Sequence, residues 1–216
     1  MHYECLETRK LLSVSLDGNV LLITGTEQDD QIVVSRYKDL LQVEDNGELH
    51  SFVAADVQEI QANLLGGDDS FIVRPMVMPV TVDGGDGDDY IKTSMGNDII
   101  YTGDGNDSVW AGDGDDLIIS GEGSSIVNGG AGDDFLTGGA GADVFEFRSA
   151  HGVDVITDFS AEDRLMITSA GTTPAAIIID IHGVREPGHC RIVYTEATAS
   201  TPATVSFNAK GPSSCD

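Results

Sequence analysis

The sequence predicts an all-β protein built around a parallel solenoid, and three observations lead to this prediction. Seven nine-residue units follow one another without an insertion from residue 84 to residue 146. Each unit places six residues rich in glycine and aspartate before a short apolar triplet. Glycine is abundant, at 26 of 216 residues, whereas proline is ordinary at 6, which indicates many tight turns and not a collagen-like or proline-rich chain.

The seven units share three positions. They read GGDGDDYIK, TSMGNDIIY, TGDGNDSVW, AGDGDDLII, SGEGSSIVN, GGAGDDFLT and GGAGADVFE. The fourth position is always glycine: Gly87, Gly96, Gly105, Gly114, Gly123, Gly132 and Gly141. The sixth is aspartate except at Ser125: Asp89, Asp98, Asp107, Asp116, Asp134 and Asp143. The eighth is always apolar: Ile91, Ile100, Val109, Ile118, Val127, Leu136 and Phe145.

This spacing predicts the geometry of one unit. The six leading residues form a turn, because glycine supplies the positive φ values that a Cβ would forbid. The last three form a very short strand whose middle side chain points to one side. One unit cannot bury a core alone, so two units form a flattened coil and the coils stack. We therefore expect two parallel sheets, with strands about 4.8 Å apart and the position-eight residues between them.

Stacking places equivalent turns on top of one another at every second unit. The carboxylates brought together are those of Asp89 and Asp107, Asp98 and Asp116, and Asp116 and Asp134. Two carboxylates about 5 Å apart repel by roughly 3 kcal/mol at an effective dielectric near 20. A divalent cation between the turns attracts both carboxylates and so replaces this repulsion by a net attraction. Calcium fits best, because it accepts six to eight carboxylate and carbonyl oxygens, whereas magnesium requires a tighter octahedron and zinc lacks its usual histidine and cysteine ligands here.

The pattern G-G-x-G-x-D-x-U-x resembles that of the RTX, or hemolysin-type, calcium-binding repeats, unit by unit over residues 84–146. The resemblance implies a parallel β-roll in which position-six side chains and turn carbonyls of units n and n+2 share a calcium ion. Sites are expected between the units starting at residues 84 and 102, 93 and 111, and 111 and 129. The metal-binding residues that it implies are Gly85, Asp86, Gly87, Asp89, Gly96, Asp98, Gly103, Asp104, Gly105, Asp107, Gly112, Asp113, Gly114, Asp116, Gly130, Gly132, Asp134 and Asp143.

Other acidic residues fit the pattern less well. The unit with Ser125 lacks the carboxylate, and Asp143 stands at the end of the array with no later partner. Position-five residues are expected to point outward and to add charge without geometry: Asp88, Asn106, Asp115 and Asp133. The stretch DGGDGDDYIKTS lacks the glycine and glutamate of an EF-hand loop.

The flanks divide the chain further. Residues 1–12 form a targeting-like segment, in which LETRKLL resembles the LEPR-x-LL element of some large exported bacterial proteins. Residues 13–83 are β-rich, as irregular coils or a small antiparallel sheet, with degenerate units at residues 25–33 and 64–72. In these units Asp30 and Asp69 are expected to be turn-formers. Residues 147–216 form a β cap and tail, and DVITDFSAEDRLMI is similar to the element that closes such rolls.

The charge restricts the partners. The formal net charge is −26, from 37 acidic and 11 basic residues, which disfavours nucleic acid and anionic membrane surfaces. No apolar run approaches the roughly 20 residues of a membrane span. Three cysteines do not make a disulfide framework, although Cys190 and Cys215 could pair. His182, His189 and Cys190 lack a fourth zinc ligand.

The sequence therefore predicts a calcium-binding, exported bacterial protein, secreted or at the cell surface, whose folding is coupled to calcium. No H-E-x-x-H or G-x-S-x-G motif occurs, so we expect no enzyme. Two alternatives remain: a cell-surface adhesin or matrix module, with a cell-surface or glycan partner, and an accessory domain of a secreted hydrolase.

Overall fold

The computed structural model describes residues 13–148, 152–168, 176–181, 190–195 and 204–209. Within them the chain is all-β, apart from one 3-10 turn at Ala54–Asp56, and no helix is long and apolar enough to cross a membrane. The strands are β1 (Ser13–Asp17), β2 (Val20–Thr24), β3 (Gln31–Tyr37), β4 (Leu40–Asp45), β5 (Glu48–Val53), β6 (Glu59–Asn63), β7 (Ser70–Val73), β8 (Val80–Asp86), β9 (Tyr90–Lys92), β10 (Ile99–Asp104), β11 (Ser108–Asp113), β12 (Leu117–Ile119), β13 (Ile126–Ala131), β14 (Phe135–Thr137), β15 (Val144–Arg148), β16 (Val153–Ile156), β17 (Arg164–Thr168), β18 (Ala176–Ile181), β19 (Cys190–Thr195) and β20 (Thr204–Ala209).

The nine-residue units form a parallel β-roll, as the sequence predicts. Their strands alternate between two sheets, with β8, β10, β12 and β14 in one and β9, β11, β13 and β15 in the other. In the first sheet Ile100 pairs with Ile118, which pairs in turn with Leu136. Each step is 18 residues, so one coil consists of two units.

The core of the roll is a single row of side chains between the sheets. The seven position-eight residues are each 0% exposed. Most position-seven and position-nine side chains of the same strands face outward, so that Tyr101 is 41% exposed and Phe135 54% exposed, whereas Asn128 and Glu146 at position nine are buried. Each unit thus contributes one large, fully buried apolar side chain, so the core between the sheets is thin.

Shortening one core side chain should weaken the roll measurably. We expect Ile118→Val to lower the free energy of unfolding by about 0.5–1.5 kcal/mol in saturating calcium. The measurement is urea denaturation, and the control is Ile119→Val, because Ile119 lies on the outer face and is only half-buried. Equal losses of unfolding free energy in the two variants would contradict the conclusion that the core contains position eight and not position nine.

The roll continues at its amino-terminal end through the two degenerate units. Strands β7 and β3 extend one sheet in parallel, and β6 and β2 extend the other. Antiparallel strands then flank each sheet: β1 pairs with β2, while β4 pairs with β3 and β5 with β4. Residues 13–83 thus contain both parallel coils that continue the roll and antiparallel strands beside them. The added strands pair the terminal strands of the roll, which would otherwise expose their backbone groups.

The carboxy-terminal end is closed in a similar way. Strands β16 and β17 add to the two sheets in parallel, and β18 adds to β16. Strands β19 and β20 follow in antiparallel order. The predicted LEPR-x-LL-like element, the pairing of Cys190 with Cys215, and the His182 and His189 side chains lie outside the described residues.

Candidate metal centre

The turns of the roll stack in contact with one another along two edges. The first edge consists of the turns at residues 64–69, 84–89, 102–107, 120–125 and 138–143. The second edge consists of the turns at residues 93–98, 111–116 and 129–134. A Cβ added at Gly114, whose φ is +144°, would collide with the carbonyl oxygen of Gly96 one coil earlier. Glycine at position four therefore lets turn carbonyls line up in columns along each edge.

One oxygen of each position-six carboxylate connects adjacent coils. On the first edge the amide N–H of Asp89 donates to Oδ1 of Asp107, with 3.0 Å between nitrogen and oxygen. On the second edge Asp98 N–H donates to Oδ1 of Asp116 at 2.8 Å, and Asp116 N–H to Oδ1 of Asp134 at 2.9 Å. The aspartates of neighbouring coils are thus brought together in the predicted pairs, and Oδ1 already has a hydrogen-bond partner.

The ladder on the first edge passes through the unit that lacks aspartate. Asp107 N–H donates to Ser125 Oγ at 3.2 Å, and Ser125 N–H donates to Oδ1 of Asp143 at 2.8 Å. Asp143 N–H donates in turn to Oδ1 of Asp163 at 3.0 Å. The expectation that Asp143 has no later partner is therefore wrong, because the closing segment places Asp163 one coil further. Asp163 differs from the others, since its Oδ2 accepts the Ser160 N–H at 2.6 Å.

The second carboxylate oxygen, Oδ2, is buried without a hydrogen-bond partner along both edges. Within the described part of the roll this set comprises Asp69, Asp89, Asp98, Asp107, Asp116, Asp134 and Asp143. Their residues are at most 2% exposed. Asp98 and Asp107 have a threonine hydroxyl beside them, from Thr93 and Thr102, that favours the charged form. A buried polar atom without a partner is uncommon and unfavourable, and seven in one array indicate a ligand.

In the three units that begin with glycine, the place of a position-one side chain lies beside this oxygen. A Cβ added at Gly84 would collide with both Asp89 Oδ2 and the carbonyl oxygen of Thr102 in the next coil. A Cβ at Gly129 would likewise collide with Asp134 Oδ2. The space beside Oδ2 is therefore bordered by a carboxylate of one coil and a backbone carbonyl of the next, which are oxygen ligands of the kind that calcium prefers.

No side-chain cation neutralises these carboxylates in the described residues. The one ion pair there joins Arg148 to Glu146, at 3.0 Å from Nε to Oε1. Between residues 84 and 146 the sequence has 14 acidic residues and a single basic one, Lys92. Within the described residues the buried carboxylates therefore have no side-chain cation as a partner.

Burial makes these carboxyl groups weaker acids than usual as long as no cation is bound. It raises the pKa of Asp89 and Asp134 to about 7 and that of Asp116 to about 8. Burial also raises the pKa of Asp143 to about 6. Desolvation is the largest cause in each case, and hydrogen bonds from the backbone of the preceding coil offset only part of it. These carboxylates therefore gain and lose their protons near neutral pH.

A second ladder, which the sequence did not reveal, runs through position five in the opposite direction. Asp133 N–H donates to Oδ1 of Asp115 at 3.0 Å, and Asp115 N–H donates to Oδ1 of Asn97 at 3.1 Å. On the first edge Asn106 N–H donates to Oδ1 of Asp88 at 2.7 Å. Position-five side chains are exposed, as expected, but the expectation that they add charge without geometry is wrong, because they connect adjacent coils. The signal was present, since six of the seven units carry Asp, Asn or Ser there.

The predicted turn residues divide into buried and exposed groups. The position-six aspartates lie inside the edges, whereas the position-three residues Asp86, Asp104 and Asp113 are exposed. The backbone carbonyl of Asp104 accepts the Gly87 N–H at 2.8 Å, which ties adjacent turns together.

No group of three or more His, Cys, Asp or Glu side chains that could hold a metal ion converges within the described residues. An ion on these edges would therefore depend on backbone carbonyls as well as carboxylates, as calcium ligands often do.

Comparison with known proteins agrees with this geometry. The family model described as RTX calcium-binding nonapeptide repeat matches in four copies, at residues 81–109, 92–127 and 110–145. No curated protein matches the chain. The match confirms the resemblance drawn from the nine-residue pattern and confirms Ca²⁺ as the ion of these repeats.

Proposed function

We propose, from the premise that residues 81–145 carry RTX calcium-binding nonapeptide repeats, that this chain binds Ca²⁺ along the two edges of its roll and folds as it does so. The row of buried, unpartnered Oδ2 atoms is the observation that carries the proposal. The ligands would be Oδ2 of the position-six aspartates together with turn carbonyls of adjacent coils. Bound calcium would supply positive charge to oxygens that no side-chain cation of the described residues pairs with.

Coupling of calcium to folding is supported by the charge of the roll. Fourteen acidic side chains against one basic side chain repel one another in a compact array. The core that opposes this repulsion is a single row of side chains. Binding free energy then contributes directly to folding free energy, because the unfolded chain does not hold the turns together.

The cellular role follows from where calcium is abundant. Extracellular modules often bind calcium at roughly 10⁻⁴–10⁻³ M. We propose that the chain acts outside the cell, after export in a calcium-poor, unfolded state, and that it folds when it meets extracellular calcium. Its role is binding and structural rather than catalytic.

A pair of adjacent substitutions tests the ligand assignment. Asp116→Asn keeps an Oδ1 acceptor but replaces the buried Oδ2 by an amide, so we expect at least one calcium ion fewer per chain. Asp115→Asn removes the same charge from the exposed neighbour and keeps its ladder acceptor, so the calcium count should not change. The measurement is calorimetric titration with mass spectrometry of the calcium-loaded chain. An unchanged count in Asp116→Asn would contradict the assignment.

A further inference from the structure

The degenerate unit at residues 64–72 builds a first-edge turn like those of the matched repeats, although it lies before them. Its Gly67 N–H donates to the Asp86 carbonyl at 2.9 Å, and Asp86 N–H donates to the Leu65 carbonyl at 3.0 Å. Leu65 has a φ of +78°, a left-handed conformation that bulky residues rarely adopt, at the place that Gly85 occupies with +102° one coil later. The stacked turns therefore hold Leu65 in a conformation that favours glycine.

Asp69 occupies the position-six place of this turn. Its N–H donates to Oδ1 of Asp89 at 2.9 Å, and its own Oδ1 accepts the Asp30 N–H at 2.7 Å. The residue is 2% exposed, and its Oδ2 is buried without a hydrogen-bond partner. Asp69 therefore has the same two features as the aspartates within the matched repeats: one oxygen tied to the previous coil and one oxygen without a partner.

Asp30, one coil earlier, differs in its hydrogen bonds. Its Oδ2 accepts both the Thr26 N–H, at 2.7 Å, and the Thr26 hydroxyl, at 3.1 Å. Its Oδ1 accepts the Asn46 side-chain amide at 3.2 Å. Both oxygens thus have protein partners, and although Asp30 is buried like Asp69, neither of its oxygens is left without a hydrogen bond.

We infer that the array of calcium sites extends one coil beyond the matched repeats, to a site between the turns at residues 64–69 and 84–89. Asp69 Oδ2 and backbone carbonyls of these two turns supply its oxygens. The array ends there because Thr26 and Asn46 already satisfy Asp30. The inference rests on the proposed function, since it assigns the same ion to a turn that the repeat pattern does not identify.

Calcium counting on the full chain tests this site. We expect Asp69→Asn, which keeps the Oδ1 acceptor, to bind one calcium ion fewer than the unsubstituted chain. Asp30→Asn is the matched control and should leave the count unchanged. Asp116→Asn serves as the reference for loss of a site within the matched repeats. A second measurement needs no substitution: in crystals of the unsubstituted chain grown with terbium, anomalous density should appear within coordination distance of Asp69 Oδ2.

The outcomes separate the two proposals. A count that falls in Asp116→Asn but not in Asp69→Asn would overturn this site and leave the proposed function intact. An equal fall in Asp30→Asn and Asp69→Asn would also overturn it, because the loss would then reflect disturbance of the coil. A fall in Asp69→Asn alone would support this site while removing the ligand assignment within the repeats. If Asp69→Asn fails to fold, terbium density beside Asp69 supports the site and its absence there overturns it.

Discussion

Removing calcium with a chelator at pH 8 is expected to abolish most of the β-sheet circular dichroism of the chain, whereas the same treatment at pH 5.5 should leave the roll folded. Burial raises the pKa of Asp89 and Asp134 to about 7 and that of Asp116 to about 8, above the usual value of 3.8. At pH values between the usual pKa and the raised pKa, the metal-free folded chain holds more protons than the unfolded chain. Its stability is therefore greatest near pH 4 and falls as pH rises through 7 to 8.

The same comparison of pH 5.5 with pH 8, made in saturating calcium, is the control. Calcium replaces the protons on the buried oxygens, so the calcium-loaded chain should remain folded at pH 8. Protons and calcium compete, so the apparent calcium affinity should increase as pH rises towards 8. Equal thermal stability of the chelated chain at pH 5.5 and pH 8 would contradict the prediction, because it would mean that the buried carboxylates need neither a proton nor a metal ion.

A methyl group added at the stacked turns should strongly destabilise the roll. Gly114 has a φ of +144°, and a Cβ there would collide with the backbone carbonyl of Gly96, which cannot move without displacing the preceding coil. Backbone strain of this kind amounts to about 1–3 kcal/mol, and the collision adds to it. We expect Gly114→Ala to lower the free energy of unfolding in saturating calcium by more than about 3 kcal/mol.

Gly18 supplies the matched control for this substitution. It also has a positive φ, +60°, but a Cβ there would meet nothing within 4 Å. Gly18→Ala should therefore lower the free energy of unfolding by only about 1–2 kcal/mol, the strain of a left-handed conformation. Urea denaturation of both variants gives the comparison. Similar losses of unfolding free energy would show that the collision with the stacked carbonyl contributes little and that the positive φ alone causes the destabilisation.

The nine-residue pattern was sufficient to predict the architecture because its causes are local and periodic. Six turn residues and three strand residues determine where the chain reverses, and apolar residues at position eight determine which side chains are buried. The predicted step of two units per coil appears as the 18-residue register from Ile100 to Ile118 and from Ile118 to Leu136. The calcium-binding nature of the repeats follows from the same pattern, and the family match confirms it.

Hydrogen bonding between coils was not predictable in the same way. The continuation of the ladder to Asp163 depends on how the closing segment folds back, because its step from Asp143 is 20 residues instead of 18. The position-five ladder depends on side chains that point along the stacking direction, as between Asp115 and Asp133. Both require the three-dimensional neighbour, which the pattern of one unit does not specify.

The sequence by itself thus determined the roll, its core row and the ion, because these depend on residue type and period alone. Only the tertiary structure decided which carboxylate oxygens remain free for that ion. Asp30 and Asp69 read alike as turn aspartates, yet Thr26 and Asn46 satisfy the first, while Oδ2 of the second has no donor within reach. The physical reason is that a hydrogen bond depends on distance and direction, and two turns with similar sequences can differ in both.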